Sequence, residues 1–325
     1  MSYVIICYSL MDVSVITTVL NEGGSVSGLL DSLLSQTKSA DEIVIVDGGS
    51  TDNTLQIIEE YSKLHKNIKV LQKSGNIAFG RNEAIKISKN EIIAQIDAGC
   101  VADKHWLERI TTPFSDKEVG LVAGFYEMVA KSDLQKAVAP FHGITPRKFD
   151  PRWFLPSGRS VAFRKSTWES VGGYSESLQW AGEDTLFNYK VIKKDIKIVR
   201  VPSAYVYWEV PKTLRETFIK FYKYSLGDAQ TKIWWHPGKN LATHNIKIMS
   251  IYARYIFLFF IALFAIFSSF FFYILIIYIV TYFFWSIWKL IEDVDTTKAR
   301  LYIPLIQVLS DFAVMTGFLV GTTKN

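Results

Sequence analysis

"DEIVIVDGGSTDNTLQIIEEYSKL", residues 41–64, decides the fold. Its opening "EIVIVD" is short, apolar and β-branched, which suits a strand better than a helix. The run stops at Asp47, passes through the turn-forming "GGSTDNT", and resumes as the helical "LQIIEEYSKL". Strand, turn and helix thus follow one another within 24 residues. The same unit recurs on both sides. Upstream, "DVSVITTVL" reads as a buried strand, followed by Ser25 as an N-cap and by Val26, Leu29, Leu30, Leu33 and Leu34 at helical spacing. Downstream come "IKVLQ", a helix near Arg81 to Ser88, and "EIIAQID". Strands separated by helices of this length predict an α/β fold with a doubly wound, mostly parallel, Rossmann-like sheet. Ligands of such sheets sit beyond the carboxyl ends of the strands. Three segments end there in polar residues: Asn21 and Glu22, Asp47, and Asp97. Singly, each reads equally well as a turn or cap residue. Together they set polar groups along one sheet edge.

Past residue 125 the alternation fails. "GITPRKFDPRWFLPSGRS" (143–160) is irregular and reads as substrate-facing. "VAFRKSTWESVGGYSE" predicts a strand, a short helix and a Gly-Gly turn. "WAGEDTLFNYKVIKK" opens a helix with the acidic pair Glu183-Asp184, and "IKIVRVP" and "AYVYWEV" predict two more strands. Between 212 and 236, Leu214, Phe218, Phe221 and Tyr222 mix with Arg215, Lys220, Lys223 and Lys232, as in a helix lying against a membrane surface.

From Tyr255 to Trp288 there are 34 residues without a charge. As one helix they would extend about 51 Å at ~1.5 Å per residue, against a hydrocarbon core of ~30 Å. The Ser268-Ser269 pair suggests two short spans joined by a tight turn, a hairpin over about 252–288. A third apolar segment, about 301–320, contains Pro304 and Asp311 and either spans or lies at the interface. Lys239, Lys247 and Arg254 precede the hairpin and Lys289, Lys298 and Arg300 follow it, so both flanks are expected in the cytoplasm. This divides the chain into a cytoplasmic domain, 1–240, and a membrane region, 241–325, of a protein expected at the cell membrane. Two cysteines, Cys7 and Cys100, suit a reducing compartment. "MSYVIICYSL" lacks the basic start of a signal peptide, and Met11 competes with Met1 as the start. The net charge of +5 suits an anionic membrane surface and argues against nucleic acid as a partner. His236 and His244, without further ligands nearby, do not make a zinc site.

"VSVITTVLNE", "EIVIVDGGSTDNT", "GRNEAI", "IIAQIDAG", "SGRSVAFRKSTWESVGGYSE" and "GEDTLF" stand in the order found in family 2 glycosyltransferases, and residues 12–235 resemble them. The resemblance implies the GT-A fold, a nucleotide-diphosphate sugar donor, inversion at the transferred sugar and a Mg²⁺ or Mn²⁺ cofactor. The trailing hydrophobic region resembles that of membrane-anchored members acting on polyprenyl-phosphate, glycolipid or membrane-associated glycan acceptors. Three departures stand out. Gly99 occupies the place of the family's second acidic residue after Asp97, and Gly48 that of a second Asp after Asp47. Ile233 replaces the arginine of the Gln-x-x-Arg-Trp signature of processive members. The missing arginine and the small number of apolar spans set single transfer ahead of a processive polysaccharide synthase. Gly99 and Gly48 would suit an inactive membrane-tethered nucleotide-binding scaffold, and the intact Glu183-Asp184 pair sets an enzyme ahead of it.

The resemblance assigns Asp184, with Glu183, to catalysis as the base that takes the acceptor's proton. On residue type alone, both fit better as first-turn acids favoured by the helix dipole. Asp97 is the expected metal ligand, one carboxylate being enough when a diphosphate and waters complete the shell. Thr18, Asn21, Glu22 and Asp47 are expected around the nucleoside, and Arg81 at the base or phosphates. Arg159 and Arg164 are expected to face the diphosphate or an anionic acceptor, and Trp180 is a candidate for stacking on a sugar.

Overall fold

The computed structural model describes residues 11–238 and 243–323. Cys7, the question of the start and Lys239 lie outside them. In chain order, β1 (Val13–Val19), α1 (Val26–Leu34), β2 (Glu42–Asp47), α2 (Thr54–Leu64), β3 (Ile68–Gln72), α3 (Ile77–Ile87) and β4 (Ile92–Gln95) alternate as their sequence pattern predicts. There follow β5 (Cys100–Ala102), α4 (Trp106–Thr111), β6 (Val119–Val129), α5 (Asp133–His142), β7 (Val161–Arg164), α6 (Lys165–Ser170), α7 (Glu183–Lys193) and β8 (Lys197–Glu209). The last elements are α8 (Leu214–Thr231), α9 (His244–Ala265), α10 (Ser269–Trp288) and α11 (Thr297–Thr323).

The eight strands form one sheet in the order β3-β2-β1-β4-β7-β6-β8-β5. β1, β2, β3 and β4 are parallel, whereas β7 runs antiparallel to both β4 and β6. Every residue of β2 and β4 is buried, which explains why these segments read as unbroken apolar runs. The register sets Asp47, the end of β2, opposite Val19, the end of β1, while β4 ends at Gln95 opposite Ile16 and the chain runs on through Ile96 to Asp97. α3 begins earlier than the sequence suggests, because Asn76 caps it by accepting a bond from the Phe79 N–H at 2.9 Å. The two strands expected over 196–210 are one. Burial alternates through Ala204, Val206 and Trp208, and Pro202, whose fixed φ is compatible with extended chain, does not divide it.

The chain makes two compact units. Of the described residues, the first comprises those up to Tyr126, Leu155–Tyr174 and Lys194–Tyr207; the second comprises Glu127–Phe154, Ser175–Lys193 and those from Trp208 on. In the second, α9, α10 and α11 are each long and apolar enough to cross a membrane. The uncharged run breaks at Ser268, whose extended backbone (φ −149°, ψ 125°) separates α9 from α10.

Candidate active site

Within the first unit, polar side chains gather where β1, β2 and β4 end. Two loops are zipped together there. The Asn21 N–H donates to Ser50 Oγ (2.9 Å) and its Oδ1 accepts from the Thr51 N–H (2.8 Å). The Glu22 N–H donates to Thr54 Oγ1 (2.7 Å), and the Gly23 N–H to Asp52 Oδ2 (3.1 Å). Thr54's hydroxyl and N–H hold the Asp52 carboxyl below the usual carboxylate range. Asn21 takes a left-handed φ of 56°, which asparagine tolerates better than most residues. Asp47 is fully buried, and its carboxylate accepts the N–H groups of Gly49 (3.2 Å) and Ser50 (2.9 Å), fixing the turn after β2. Thr18 is half-buried on β1 and Glu22 half-buried just beyond it, its carboxylate accepting the Ser25 hydroxyl.

Asp97 follows β4 and presents a partly exposed carboxylate. Its Oδ1 accepts a 2.6 Å bond from Nη2 of Arg81, whose side chain is 2% exposed. Arg81 therefore lies beneath the surface and holds Asp97, and the guanidinium also lies 5.4 Å from the Tyr174 ring. An added Cβ on Gly158 would come within 2.1 Å of Arg81 Nη2 and 2.7 Å of Asp97 Oδ1. Only a residue without a side chain lets that loop lie over the ion pair. Sequence pattern missed Gly158, because a contact between a loop and a buried pair 61 and 77 residues away leaves no local signal.

Gly99 has φ +77°, where glycine alone is unstrained, and a Cβ there would lie 3.7 Å from Glu22 Oε2. The missing second acid thus has a conformational reason, and the Glu22 carboxylate stands beside the place it would begin. No group of three or more potential metal ligands occurs among the described residues. The partly exposed Asp97 carboxylate, a hard oxygen donor, fits a divalent ion that brings most of its shell with a diphosphate.

Arg159 is half-buried, with its guanidinium 5.0 Å from the Tyr126 ring and Nη1 bonded to Ser157 Oγ at 3.3 Å. Arg164 departs from expectation. Its guanidinium donates to the carbonyls of Val119 (2.9 Å), Phe114 (3.0 Å) and Asp116 (3.2 Å), so it ties the end of β7 to the start of β6 and the segment before it.

Within the second unit, Glu183 and Asp184 open α7, Glu183 buried and Asp184 partly exposed. Asp184 Oδ1 accepts the Thr185 N–H at 2.7 Å. The turn leading into the pair is pressed onto α8. A Cβ on Gly227 would fall 2.1 Å from the Ala181 carbonyl oxygen, and the Gln179 N–H donates to Gln230 Oε1 at 3.0 Å. α8, expected to lie against a membrane, packs on the turn that leads into the acidic pair. Gly227→Ala is accordingly predicted to cost about 1–3 kcal/mol by overpacking, read as a lowered melting temperature. Trp180, 46% exposed, stacks under Lys223 Nζ, 4.1 Å from the ring centroid.

Residues 14–171 match the model of a family described as Glycosyl transferase family 2. Over 120 residues the chain is 37% identical to the glycosyltransferase AglE of Haloferax volcanii, covering 35% of this chain and 39% of that protein. Over 211 residues it is 36% identical to a poly(ribitol-phosphate) beta-glucosyltransferase of Bacillus spizizenii, covering 62% and 32% respectively. The chain thus spans about a third to two fifths of the length of these relatives. Among solved structures, the mannosyltransferase PcManGT of Pyrobaculum calidifontis, in complex with GDP-Man and Mn²⁺, superposes with a TM-score of 0.52 at 21% identity. That superposition covers 67% of this chain and 61% of that one, and it shows a common GT-A fold.

Proposed function

The chain belongs to glycosyl transferase family 2, and on that premise we propose that it transfers one sugar from a nucleotide-diphosphate donor to an acceptor at the membrane. The observation that carries this reading is the Arg81–Asp97 pair at the end of β4. A charged group held at a sheet's carboxyl edge by a buried partner is preorganised for a ligand in a way that a turn residue is not. The acceptor is a polyprenyl phosphate, a glycolipid or a membrane-associated glycan, and α9–α11 keep the enzyme at the membrane with its catalytic residues on the cytoplasmic side.

Thr18, Asn21, Glu22 and Asp47 surround the nucleoside, and Arg81 acts through Asp97 as a positioning residue. Arg159 supplies positive charge toward the donor phosphates or an anionic acceptor. A Mg²⁺ or Mn²⁺ ion held by Asp97 would neutralise charge on the departing diphosphate. Asp184 takes the proton of the acceptor hydroxyl as that oxygen bonds to the anomeric carbon. The bond from that carbon to the diphosphate oxygen breaks on the opposite face, which inverts the centre. Glu183 is buried beside it at the start of α7.

Thermal stability measured across UDP, GDP, dTDP and CDP, each with and without Mn²⁺, tests the donor half. At ~100 times its dissociation constant, one nucleotide adds about 2.7 kcal/mol of stability. That shift is expected to need the metal and to vanish in Asp97→Ala. Folded protein that responds to none of the four sinks the enzyme reading in favour of the tethered scaffold.

A further inference from the structure

How α9–α11 meet the bilayer follows from contacts within the second unit, and the inference rests on the membrane reading above. α11 has two unlike faces. One is packed against protein for most of its length. Ala299, Ile303 and Ile306 bury themselves with Ala137 and Val138 of α5. Gly317 and Gly321 then lie on the backbone of α8, where a Cβ would fall 2.3 Å from the Tyr222 oxygen and 2.5 Å from that of Leu226. Ser225 Oγ donates to the Val314 carbonyl at 2.7 Å. The opposite face exposes Leu301, Leu305, Val308, Phe312 and Leu319 in a single stripe. If α11 crossed the bilayer it would carry α8 with it, and α8 bears Arg215, Glu216, Lys220, Lys223 and Asp228. Each charge at mid-membrane costs about 2.5–3.5 kcal/mol on insertion scales. Lying in the interface, α11 keeps α8 wet and still buries its stripe in lipid.

The hairpin then enters from that level. The first turns of α9 are docked on protein. Asn245 donates to the Asp228 carbonyl at 2.9 Å, Ile248 packs with Ala229 and Phe318, and the Tyr252 hydroxyl donates to the Met315 carbonyl. Next comes a polar collar that ties both arms to α11. Asp311 accepts from Arg254 (3.0 Å), Tyr255 (3.2 Å), Gln307 (2.9 Å) and Tyr282. Beyond the collar, Tyr255–Phe267 descends and Phe270–Tyr282 returns, 13 residues each. Each arm is about 20 Å long at ~1.5 Å per residue, roughly 10 Å short of a ~30 Å hydrocarbon core. The tip is formed by Ile266, Phe267 and Phe270, exposed at 75%, 81% and 66%, with Ser268 and Ser269 between them and no charge to hold it at a second interface.

We propose that α9–α10 is a re-entrant wedge whose tip ends among acyl chains inside the bilayer, while α11 lies along the surface of the same leaflet, so that the chain enters and leaves the membrane on one face. The test uses the full chain in phosphatidylcholine–phosphatidylglycerol vesicles, with Cys7→Ser and Cys100→Ala in the background and single spin labels at Ser269→Cys, Leu305→Cys and Lys247→Cys. Flotation with vesicles is scored first, since loss of flotation in folded protein overturns membrane attachment itself. In floating protein, the label at 269 is expected to collide with oxygen and to lose nearly all collisions with a water-soluble nickel complex. The label at 305 is expected just below the headgroups, shallower than that at 269, and that at 247 in water. A transmembrane arrangement gives the reverse order, with 269 open to nickel at the far interface and 305 at the bilayer centre. That order overturns the wedge while leaving attachment intact. So does a label at 269 shielded from both reagents, which places a second copy of the chain over the hairpin.

Discussion

Asp184→Asn is expected to lower the rate of sugar transfer by about 10²–10⁴-fold, the usual loss when a general base can no longer take a proton. Donor-dependent thermal stabilisation should survive the change, because the nucleotide residues are proposed on β1, β2 and β4. The substitution is nearly isosteric, and the bond that Asp184 Oδ1 accepts from the Thr185 N–H is one an amide oxygen also accepts, so the start of α7 should persist. The size of the loss also reports on the acceptor. A hydroxyl must shed a proton as it attacks. A phosphate monoester has a second pKa near ~6 and is largely ionised at neutral pH, so it needs positioning more than deprotonation. Full-scale loss in a donor-labelled assay therefore points to a glycan or glycolipid hydroxyl, and a loss of a few-fold to a polyprenyl phosphate. Unchanged transfer to every acceptor would remove Asp184 from the chemistry. Product length in the same assay separates single transfer from polymerisation, which Ile233 in place of arginine already disfavours.

Much of the first unit is legible in the sequence because its determinants are local. Unbroken β-branched runs such as Ile43–Val46 are strands buried on both faces, and their spacing by helices leaves parallel pairing as the consistent solution. The polar ends of those strands locate the candidate site for the same reason. What pattern does not reveal depends on distant partners. Arg81 looks like a base or phosphate ligand at the start of a helix, yet it is buried and bonded to Asp97, with Tyr174 and Gly158 also coming to it from later in the chain. Arg164 looks like an anion ligand, yet three backbone carbonyls claim it. α11 reads from composition as a segment that either spans or lies at the interface, and only the glycines that seat it on α8 show that one face is packed on protein. In each case a long polar or apolar side chain is assigned by composition, and its true partner is fixed by tertiary contact.

The largest expected loss of donor binding comes from disturbing the Arg81–Asp97 pair, and three substitutions separate stability from function there. Arg81→Met removes a nearly buried cation and leaves Asp97 without its 2.6 Å partner. Breaking a buried pair from one side costs about 3–5 kcal/mol, and the partial exposure of Asp97 places this case near the lower figure. The melting temperature should fall and the nucleotide-dependent shift should disappear. Asp97→Ala removes the ligand group itself, so the shift should vanish even in protein stabilised by low temperature. Gly158→Ala is the most informative, because it deletes no charge. Its Cβ is aimed at Arg81 Nη2 and Asp97 Oδ1, at 2.1 and 2.7 Å, so the guanidinium and carboxylate must move apart or the loop must lift. Either response displaces Asp97 by a fraction of an ångström to an ångström, which is enough to cost about 10²-fold where reacting groups are positioned. Gly24→Ala is the matched control, since a Cβ there meets nothing within 4 Å. If Gly158→Ala weakens nucleotide binding no more than Gly24→Ala does, Asp97 need not be held in place, and the pair is a structural tie whose position at the sheet edge is incidental.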